Sequence, residues 1–169
     1  MLIKLLIAGD GGQGIQTMAD VISQAAFMKD FFVSYIPNYG LEQRGGSSLA
    51  FIQISDRDVV YPKFSNPDIL VVMSDDSRKR VSGYEHKSVK VIDIKDYLGI
   101  LEKNSIESTS YNIFFLGVLA KVLGNNQIKL DEEIFVALEK KLGKKPNWEE
   151  NKRIWDISTE LKNEKTHSN

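Results

Sequence analysis

The chain contains no cysteine and only two histidines, His86 and His167, among its 169 residues. Without cysteine it forms no disulfide bond, has no thiol nucleophile and holds no iron–sulfur cluster through its own thiolates. Two histidines are also too few for a histidine-rich zinc site. The metal and covalent chemistries that depend on these side chains are therefore excluded from this chain.

Strong charge of one sign and long apolar runs are also lacking. The net charge is −1, with 22 basic and 23 acidic residues of mixed distribution, so there is no basic footprint for nucleic acid and no polybasic membrane patch. The N-terminal apolar run lacks the length and cleavage site of a signal peptide, and residues 113–123 are too short to cross a bilayer. We expect a soluble cytoplasmic protein without nucleic-acid binding or membrane insertion.

The first three dozen residues predict a strand, a glycine-rich turn, a helix and a second strand. Residues 2–8 are apolar apart from one lysine and end at a glycine, as in a buried strand. Apolar residues from Ile15 onward recur at helical spacing. Residues 31–36 then resemble another strand. The order predicts a βαβ unit in a parallel sheet.

The middle of the chain predicts further strands. The runs at 47–55 and 59–62, joined by Asp56, Arg57 and Asp58, suggest an antiparallel hairpin at one edge of the sheet. Strands are also predicted at 68–73 and 89–94.

Three helices are predicted to complete the chain, beginning at Tyr111, Asp131 and Asn147. The fold class is therefore α/β: a three-layer Rossmann-like domain with a mostly parallel sheet, an antiparallel hairpin at one edge and C-terminal helices. We predict a single domain over residues 1–162 and a polar, disordered tail over residues 163–169.

The glycine-rich turn "AGDGGQGIQT" satisfies the dinucleotide pattern G-x-G-x-x-G through Gly9, Gly11 and Gly14. Glycines tolerate positive φ, and amides at a helix start favour an anion. However, no acidic residue ends the second strand to hold a ribose, since the first is Glu42. The lysine and serine or threonine of a P-loop are absent as well. A purely structural role, close helix–strand packing, stays open.

A second motif, "NYGLEQRGGSS" at residues 38–48, follows the second strand. Functional residues concentrate on loops at the carboxyl ends of strands in open α/β proteins. Glu42 and Arg44 can pair with each other or with a partner chain. The alternative is an ordinary polar loop with a surface ion pair of little energetic value.

Together the two motifs, about 25 residues apart, resemble the gamma subunit of the 2-oxoacid:ferredoxin (acceptor) oxidoreductases. Asn112 and Gly117 fall in a later helix similar to the family's, whereas Leu41 stands where many relatives have proline. The resemblance implies a ligand or subunit-interface site, with no catalytic or metal-binding residue, at these positions: Gly9, Gly11, Gly12, Gln13, Gly14, Tyr39, Gly40, Glu42, Arg44, Gly45, Gly46, Ser47 and Ser48. The Tyr-Gly and Arg-Gly-Gly-Ser version of the motif favours the 2-oxoglutarate type over pyruvate- and ketoisovalerate-type subunits.

The resemblance further implies an accessory subunit, inactive alone, of an enzyme that oxidatively decarboxylates a 2-oxoacid to acyl-coenzyme A. Thiamine diphosphate, Mg²⁺ and iron–sulfur clusters are expected in partner alpha, beta and, in some complexes, delta subunits, with ferredoxin or another acceptor reached through the complex. Coenzyme A can meet this chain at the subunit interface, and the isolated chain can form a homodimer. Two alternatives stay open: an independent Rossmann-type NAD- or FAD-binding domain, and a non-enzymatic α/β interaction module.

Overall fold

The computed structural model describes residues 1–39, with only the backbone of Tyr39, and residues 46–161. Five strands form one sheet: β1 (Leu2–Asp10), β2 (Phe32–Tyr39), β3 (Ser47–Ser55), β4 (Ile69–Val72) and β5 (Lys90–Asp93). The helices are α1 (Ile15–Met28), α2 (Asp75–Val81), α3 (Leu98–Lys103), α4 (Tyr111–Asn125), α5 (Asp131–Leu142) and α6 (Trp148–Glu160). The predicted tail at 163–169 and the domain boundary before it lie outside the described residues.

The strand order is β2-β3-β1-β4-β5. Strand β3 is antiparallel to both β1 and β2, whereas β4 is parallel to β1 and to β5. Four of these five strands therefore point the same way, and the mixed α/β fold class is confirmed. Strands β1 and β2 of the predicted βαβ unit run parallel in one sheet, but they are not neighbours, because β3 lies between them.

The predicted hairpin between residues 47–55 and 59–62 is also wrong. Residues 59–62 form no strand, because β3 is already paired along both of its sides and offers no free edge. Val60 and Tyr61 are instead exposed, and the Gln53 side chain donates a hydrogen bond to the Tyr61 carbonyl oxygen at 2.6 Å. The antiparallel hairpin at the sheet edge is formed by β2 and β3.

The two faces of the sheet carry separate apolar cores, which produces three layers. Alternate strand residues such as Leu5, Ile7 and Ile52 pack under α1, α4, α5 and α6. Their neighbours, such as Leu6 and Phe51, face α2 and the segment around Phe64. This alternation follows from the two-residue period of a strand.

The three predicted C-terminal helices are present as α4, α5 and α6, and α3 is an additional short helix. Helix α4 is buried almost all round, as its apolar sequence requires. Among the described residues, no helix combines the length and apolar character needed to cross a membrane.

Candidate functional site

The candidate site lies at the end of the sheet where β1, β2, β4 and β5 reach their carboxyl ends and β3 begins. The glycine-rich turn connects β1 to α1 at this end, and the second motif connects β2 to β3 there. Gly9 is opposite Ser48 and Asp10 is opposite Ser47 in the β1–β3 ladder. The fold therefore brings the two motifs together, as the sequence analysis expects for loops at the carboxyl ends of strands.

The neighbouring side chains leave no room for a Cβ at Gly9 or at Gly14. A Cβ at Gly9 would lie 2.5 Å from Ile15 Cδ1 and 2.6 Å from Gln13 Oε1. A Cβ at Gly14, whose φ is +75°, would lie 2.4 Å from Asn112 Nδ2. Asn112, at the start of α4, has its Oδ1 buried without a hydrogen-bond partner among the described residues. These two glycines let α1 and α4 approach the end of β1.

The Gln13 side chain is also used inside the fold. Its Oε1 accepts a hydrogen bond from the Asp10 amide at 2.7 Å, and its Nε2 donates to the Met73 carbonyl oxygen at 3.1 Å. Gln13 therefore joins the ends of β1 and β4. Both the oxygen and the nitrogen of its amide are engaged, so this half-buried predicted site residue supports the turn.

Gly11 and Gly12 form the exposed part of the turn. Gly12 has a φ of +95° and open space where a Cβ would be, so the backbone at this point can be approached closely. Helix α1, which follows, has no side-chain cap and no acidic residue in its first turn. Its N-terminal amides and positive dipole end are therefore favourable for an anionic group.

The second motif is described only at its flanks. Gly40, Glu42, Arg44 and Gly45, all predicted site residues, lie outside the described residues. The backbone of Tyr39 is paired with Ser48. The Gly11 amide donates a hydrogen bond to the Gly46 carbonyl oxygen at 3.0 Å, which directly connects the glycine-rich turn to the second motif.

Gln16, which is not among the predicted site residues, ties α1 to the start of β3. Its Nε2 donates to Ser48 Oγ at 2.8 Å and to the Leu49 carbonyl oxygen at 3.0 Å. Its Oε1 accepts a hydrogen bond from the Tyr35 hydroxyl on β2. No short motif marks this residue, since a glutamine after a glycine turn is unremarkable in sequence.

Arg80 on α2 is a second residue that the sequence analysis does not single out. Its guanidinium donates to the Ser47 carbonyl oxygen at 2.9 Å and to Asn38 Oδ1 at 3.4 Å. It therefore bridges the end of β2 and the start of β3. The sequence alone shows it only as part of a charged helix.

Several charges at this end of the sheet are paired within the chain, whereas the Asp10 carboxylate accepts a hydrogen bond from the Ser74 hydroxyl at 2.7 Å. Arg78 forms ion pairs with Glu85 and with the buried Asp93. Lys95 lies 2.5 Å from Asp75, and its hydrogen bond holds the pKa of that carboxyl below the ordinary value. In the part of the chain that the structure describes, no group of three or more acidic or histidine side chains could hold a metal ion.

The topology also explains why a ribose-binding acid is missing. In a dinucleotide fold, that acid ends the parallel strand next to β1. Here the neighbour on that side is β3, which runs antiparallel and places Ser47 and Ser48 beside Gly9 and Asp10. The Gly11 amide, moreover, already bonds to Gly46. Both observations weigh against a dinucleotide at this turn.

Comparison with known proteins gives the same family as the motifs. Residues 4–83 match the family described as pyruvate ferredoxin/flavodoxin oxidoreductase. The chain is 44% identical over 72 residues, 42% of its own length, to 2-oxoglutarate synthase subunit KorC of Methanothermobacter marburgensis. It is 34% identical over 73 residues, 43% of its length, to the pyruvate/ketoisovalerate oxidoreductases common subunit gamma of Thermococcus litoralis. These matches span about two fifths of each relative, 39% and 40% of their lengths.

Solved structures show the same fold over nearly the whole chain. The gamma subunit of a keto/oxoacid ferredoxin oxidoreductase from Geobacter sulfurreducens aligns with a TM-score of 0.74 at 16% identity, covering 95% of both chains. A 2-oxoglutarate:ferredoxin oxidoreductase from Magnetococcus marinus, with 2-oxoglutarate, coenzyme A and succinyl-CoA bound, aligns with a TM-score of 0.77 at 18% identity. The match covers 95% of this chain and 32% of that one.

The matched region holds both motifs, from the glycine-rich turn through the β2–β3 hairpin to α2. The fold beyond this region also aligns with that of the Geobacter protein. Residues 4–83 therefore match the pyruvate ferredoxin/flavodoxin oxidoreductase family, which agrees with the resemblance that the two sequence motifs indicate.

Proposed function

We propose that this chain is the gamma-type accessory subunit of a thiamine-diphosphate-dependent 2-oxoacid:ferredoxin oxidoreductase that forms an acyl-coenzyme A. The observation that carries the proposal is the junction of the two family motifs through the hydrogen bond from Gly11 to Gly46. The thiamine cofactor, Mg²⁺ and iron–sulfur clusters would be held by alpha, beta or delta subunits and supply the decarboxylation and electron transfer. This chain would be inactive alone, and the complex would be cytoplasmic.

The surface around Gly12 would receive either a coenzyme A phosphate or the backbone of a partner subunit. The absence of a Cβ allows close approach, and the first turn of α1 contains no acidic residue. The Magnetococcus oxidoreductase, which contains the same fold, has coenzyme A bound, and this supports the first option. The planar guanidinium of Arg44 would form a bidentate contact with a phosphate or carboxylate.

A substrate of the 2-oxoglutarate type is favoured over pyruvate or a branched 2-oxoacid. The identity to a 2-oxoglutarate synthase subunit is 44%, against 40% to a ketoisovalerate oxidoreductase subunit and 34% to a pyruvate/ketoisovalerate gamma subunit over similar lengths. The Tyr-Gly and Arg-Gly-Gly-Ser form of the second motif agrees with this order. The 2-oxoacid itself would be bound by the partner subunits.

Exposed apolar side chains give independent support for a subunit role. Phe27 is 74% exposed, and Met28, Phe32 and Val136 are each more than two fifths exposed. Phe27, Met28 and Val136 line one groove between α1, β2 and α5. Contiguous apolar surface of this kind is typical of protein–protein contacts, and a homodimer of the isolated chain could also cover it.

The test is to coproduce the chain with its genomic neighbours and measure 2-oxoacid- and coenzyme A-dependent reduction of an artificial acceptor. We expect a complex that loses assembly or activity when this chain is omitted. Full assembly and full activity without it would refute the proposal. Among single variants, Gly12→Val should raise the KM for coenzyme A or weaken assembly.

Gly83→Val controls for added side-chain volume alone, because Gly83 also has open space around its missing Cβ but lies after α2 and has no positive φ. Unchanged assembly and coenzyme A KM in Gly12→Val would remove any role for the turn. Arg44→Ala should weaken subunit association or coenzyme A use more than it lowers the melting temperature of the isolated chain. A loss of melting temperature alone would mark Arg44 as a structural partner of Glu42.

The alternative, an independent NAD- or FAD-binding domain, has its own test. Purified protein should show no flavin absorbance, and added NAD should leave the melting temperature unchanged. A bound flavin would favour the alternative over the subunit proposal.

A further inference from the structure

We propose that Gln16 and Arg80 are positioning residues that hold the end of the β2–β3 hairpin against the glycine-rich turn from opposite faces of the sheet. The hairpin end is defined here as Asn38 together with residues 46–49. The inference deepens the proposed function, because the surface so held is the one assigned to coenzyme A or a partner subunit. Neither residue is among the site residues predicted from the sequence.

Gln16 acts on the face of the sheet that α1 covers. Tyr35 packs against the core on this face, and Ser48 points to it because Ala50 and Ile52, two and four residues on, are buried there. The single Gln16 amide accepts from the Tyr35 hydroxyl and donates to both Ser48 Oγ and the Leu49 carbonyl oxygen. One side chain therefore fastens β2 and β3 to α1.

Arg80 acts on the face that α2 covers. Leu49 and Phe51 pack with Val81 on this side of the sheet, and Asn38 is two residues from Ile36, which also packs here. The Arg80 guanidinium spans the two strands by binding Asn38 Oδ1 and the Ser47 carbonyl oxygen.

The partners of Arg80 distinguish it from its neighbours on α2. Arg78 and Lys79 are each bound to carboxylates. Arg80 forms no ion pair among the described residues. The two groups that accept its hydrogen bonds, the Ser47 carbonyl and the Asn38 amide, are neutral. Its hydrogen bonds therefore fix the strand ends rather than neutralise a local acid.

Anchoring is needed because the junction itself has no side chains. The motifs meet through the backbones of Gly11 and Gly46, and glycine backbones lose more conformational freedom on ordering than any other residue. A hydrogen bond between two such backbones is easily opened unless the flanking strand is held. Gln16 and Arg80 each bond the backbone within three residues of Gly46.

The test uses amide hydrogen exchange, read by NMR on the full chain. Gln16→Met and Arg80→Met remove the hydrogen bonds while keeping side-chain length. We expect the amides of Gly11, Ser48 and Leu49 to exchange about tenfold faster, as local opening loses one or two hydrogen bonds. Amides in the middle of α4 should change less than about twofold.

Two matched controls keep the substitution type constant. Gln24 is also on α1, but among the described residues its amide bonds only to Asp20, one turn earlier. Arg153 bonds Glu150 and the Asn104 carbonyl oxygen, far from the hairpin in sequence. Gln24→Met and Arg153→Met should leave exchange at Gly11 and the hairpin end unchanged. Arg80→Lys, which can reach one acceptor, should give an intermediate rate.

The outcomes separate this inference from the proposed function. Unchanged exchange in both Gln16→Met and Arg80→Met overturns the positioning role, whatever the complex does. Faster exchange, together with a coenzyme A KM raised several-fold at little change in kcat or with weaker assembly, supports both. Faster exchange with unchanged coenzyme A KM and assembly leaves the positioning role standing and refutes the proposed use of this surface.

Discussion

Gly14→Ala should cost more stability than Gly12→Ala, although both glycines have positive φ values. The two positions differ in what a methyl group would meet. At Gly14, the added carbon would lie 2.4 Å from Asn112 Nδ2 and 3.0 Å from Asn112 Cγ. At Gly12, it would meet nothing within 4 Å.

The magnitudes follow from two terms. Placing a non-glycine residue in the left-handed region costs roughly 1–2 kcal/mol, which both variants should lose. Overpacking a filled site adds roughly 1–3 kcal/mol, and this term applies to Gly14 alone. We therefore expect a loss of about 1 kcal/mol in unfolding free energy for Gly12→Ala and about 3 kcal/mol for Gly14→Ala.

Urea unfolding of the isolated chain measures the difference. With an m-value of about 2 kcal/mol/M, the midpoints should fall by about 0.5 M for Gly12→Ala and about 1.5 M for Gly14→Ala. Gly124→Ala is the control, because Gly124 lies inside α4 with open space at its Cβ. It should stabilise the protein by up to about 1 kcal/mol.

A double variant identifies the cause of the Gly14 effect. If the clash with Asn112 is responsible, Gly14→Ala should cost about 1–2 kcal/mol in an Asn112→Ala background, close to the backbone term alone. Equal costs for Gly12→Ala and Gly14→Ala, or a Gly14→Ala cost that is the same in both backgrounds, would refute the packing assignment.

Three further predictions concern packing, buried hydrogen bonds and pH. Gly117→Ala should cost about 2 kcal/mol in a thermal melt, since its Cβ would lie 1.8 Å from Ser158 Oγ, and Ser158→Gly should recover most of it. Gln13→Met should cost about 2 kcal/mol in urea unfolding, because two backbone groups lose their partner. Burial raises the pKa of Asp20, but hydrogen bonds from Lys141 and Gln24 outweigh it and hold this pKa below 3.8. The Asp20–Lys141 pair should therefore stabilise the fold above about pH 4 and lose this effect as the pH falls through the folded-state pKa of Asp20. Asp20→Asn should lower the unfolding free energy by less than about 1 kcal/mol at neutral pH, and this loss should shrink in acid.

Local patterns predict the elements well but not their order in the sheet. The β1 strand, the α1 helix and the three C-terminal helices follow from apolar spacing and glycine punctuation. The position of β3 between β1 and β2 does not follow from these patterns, because the apolar spacing of a strand indicates neither its neighbours nor its direction. Residues 59–62 also have the composition of a strand. Only the pairing of β3 along both of its sides shows that they cannot form a hairpin with it.

The candidate site divides in the same way. The glycine pattern identifies the turn, but it treats Gly9, Gly12 and Gly14 alike, whereas contacts from α1 and α4 separate two packing positions from one exposed position. Gln16 and Arg80 could not be found from sequence, because their roles depend on strands about 30 residues away.

Native mass spectrometry of the tagged chain, coproduced with its genomic neighbours, tests the central claim most directly. The account predicts a stoichiometric hetero-oligomer that contains this chain together with thiamine-diphosphate-binding subunits. A chain recovered only as a monomer or homodimer, while those subunits assemble into an active oxidoreductase without it, would contradict the account.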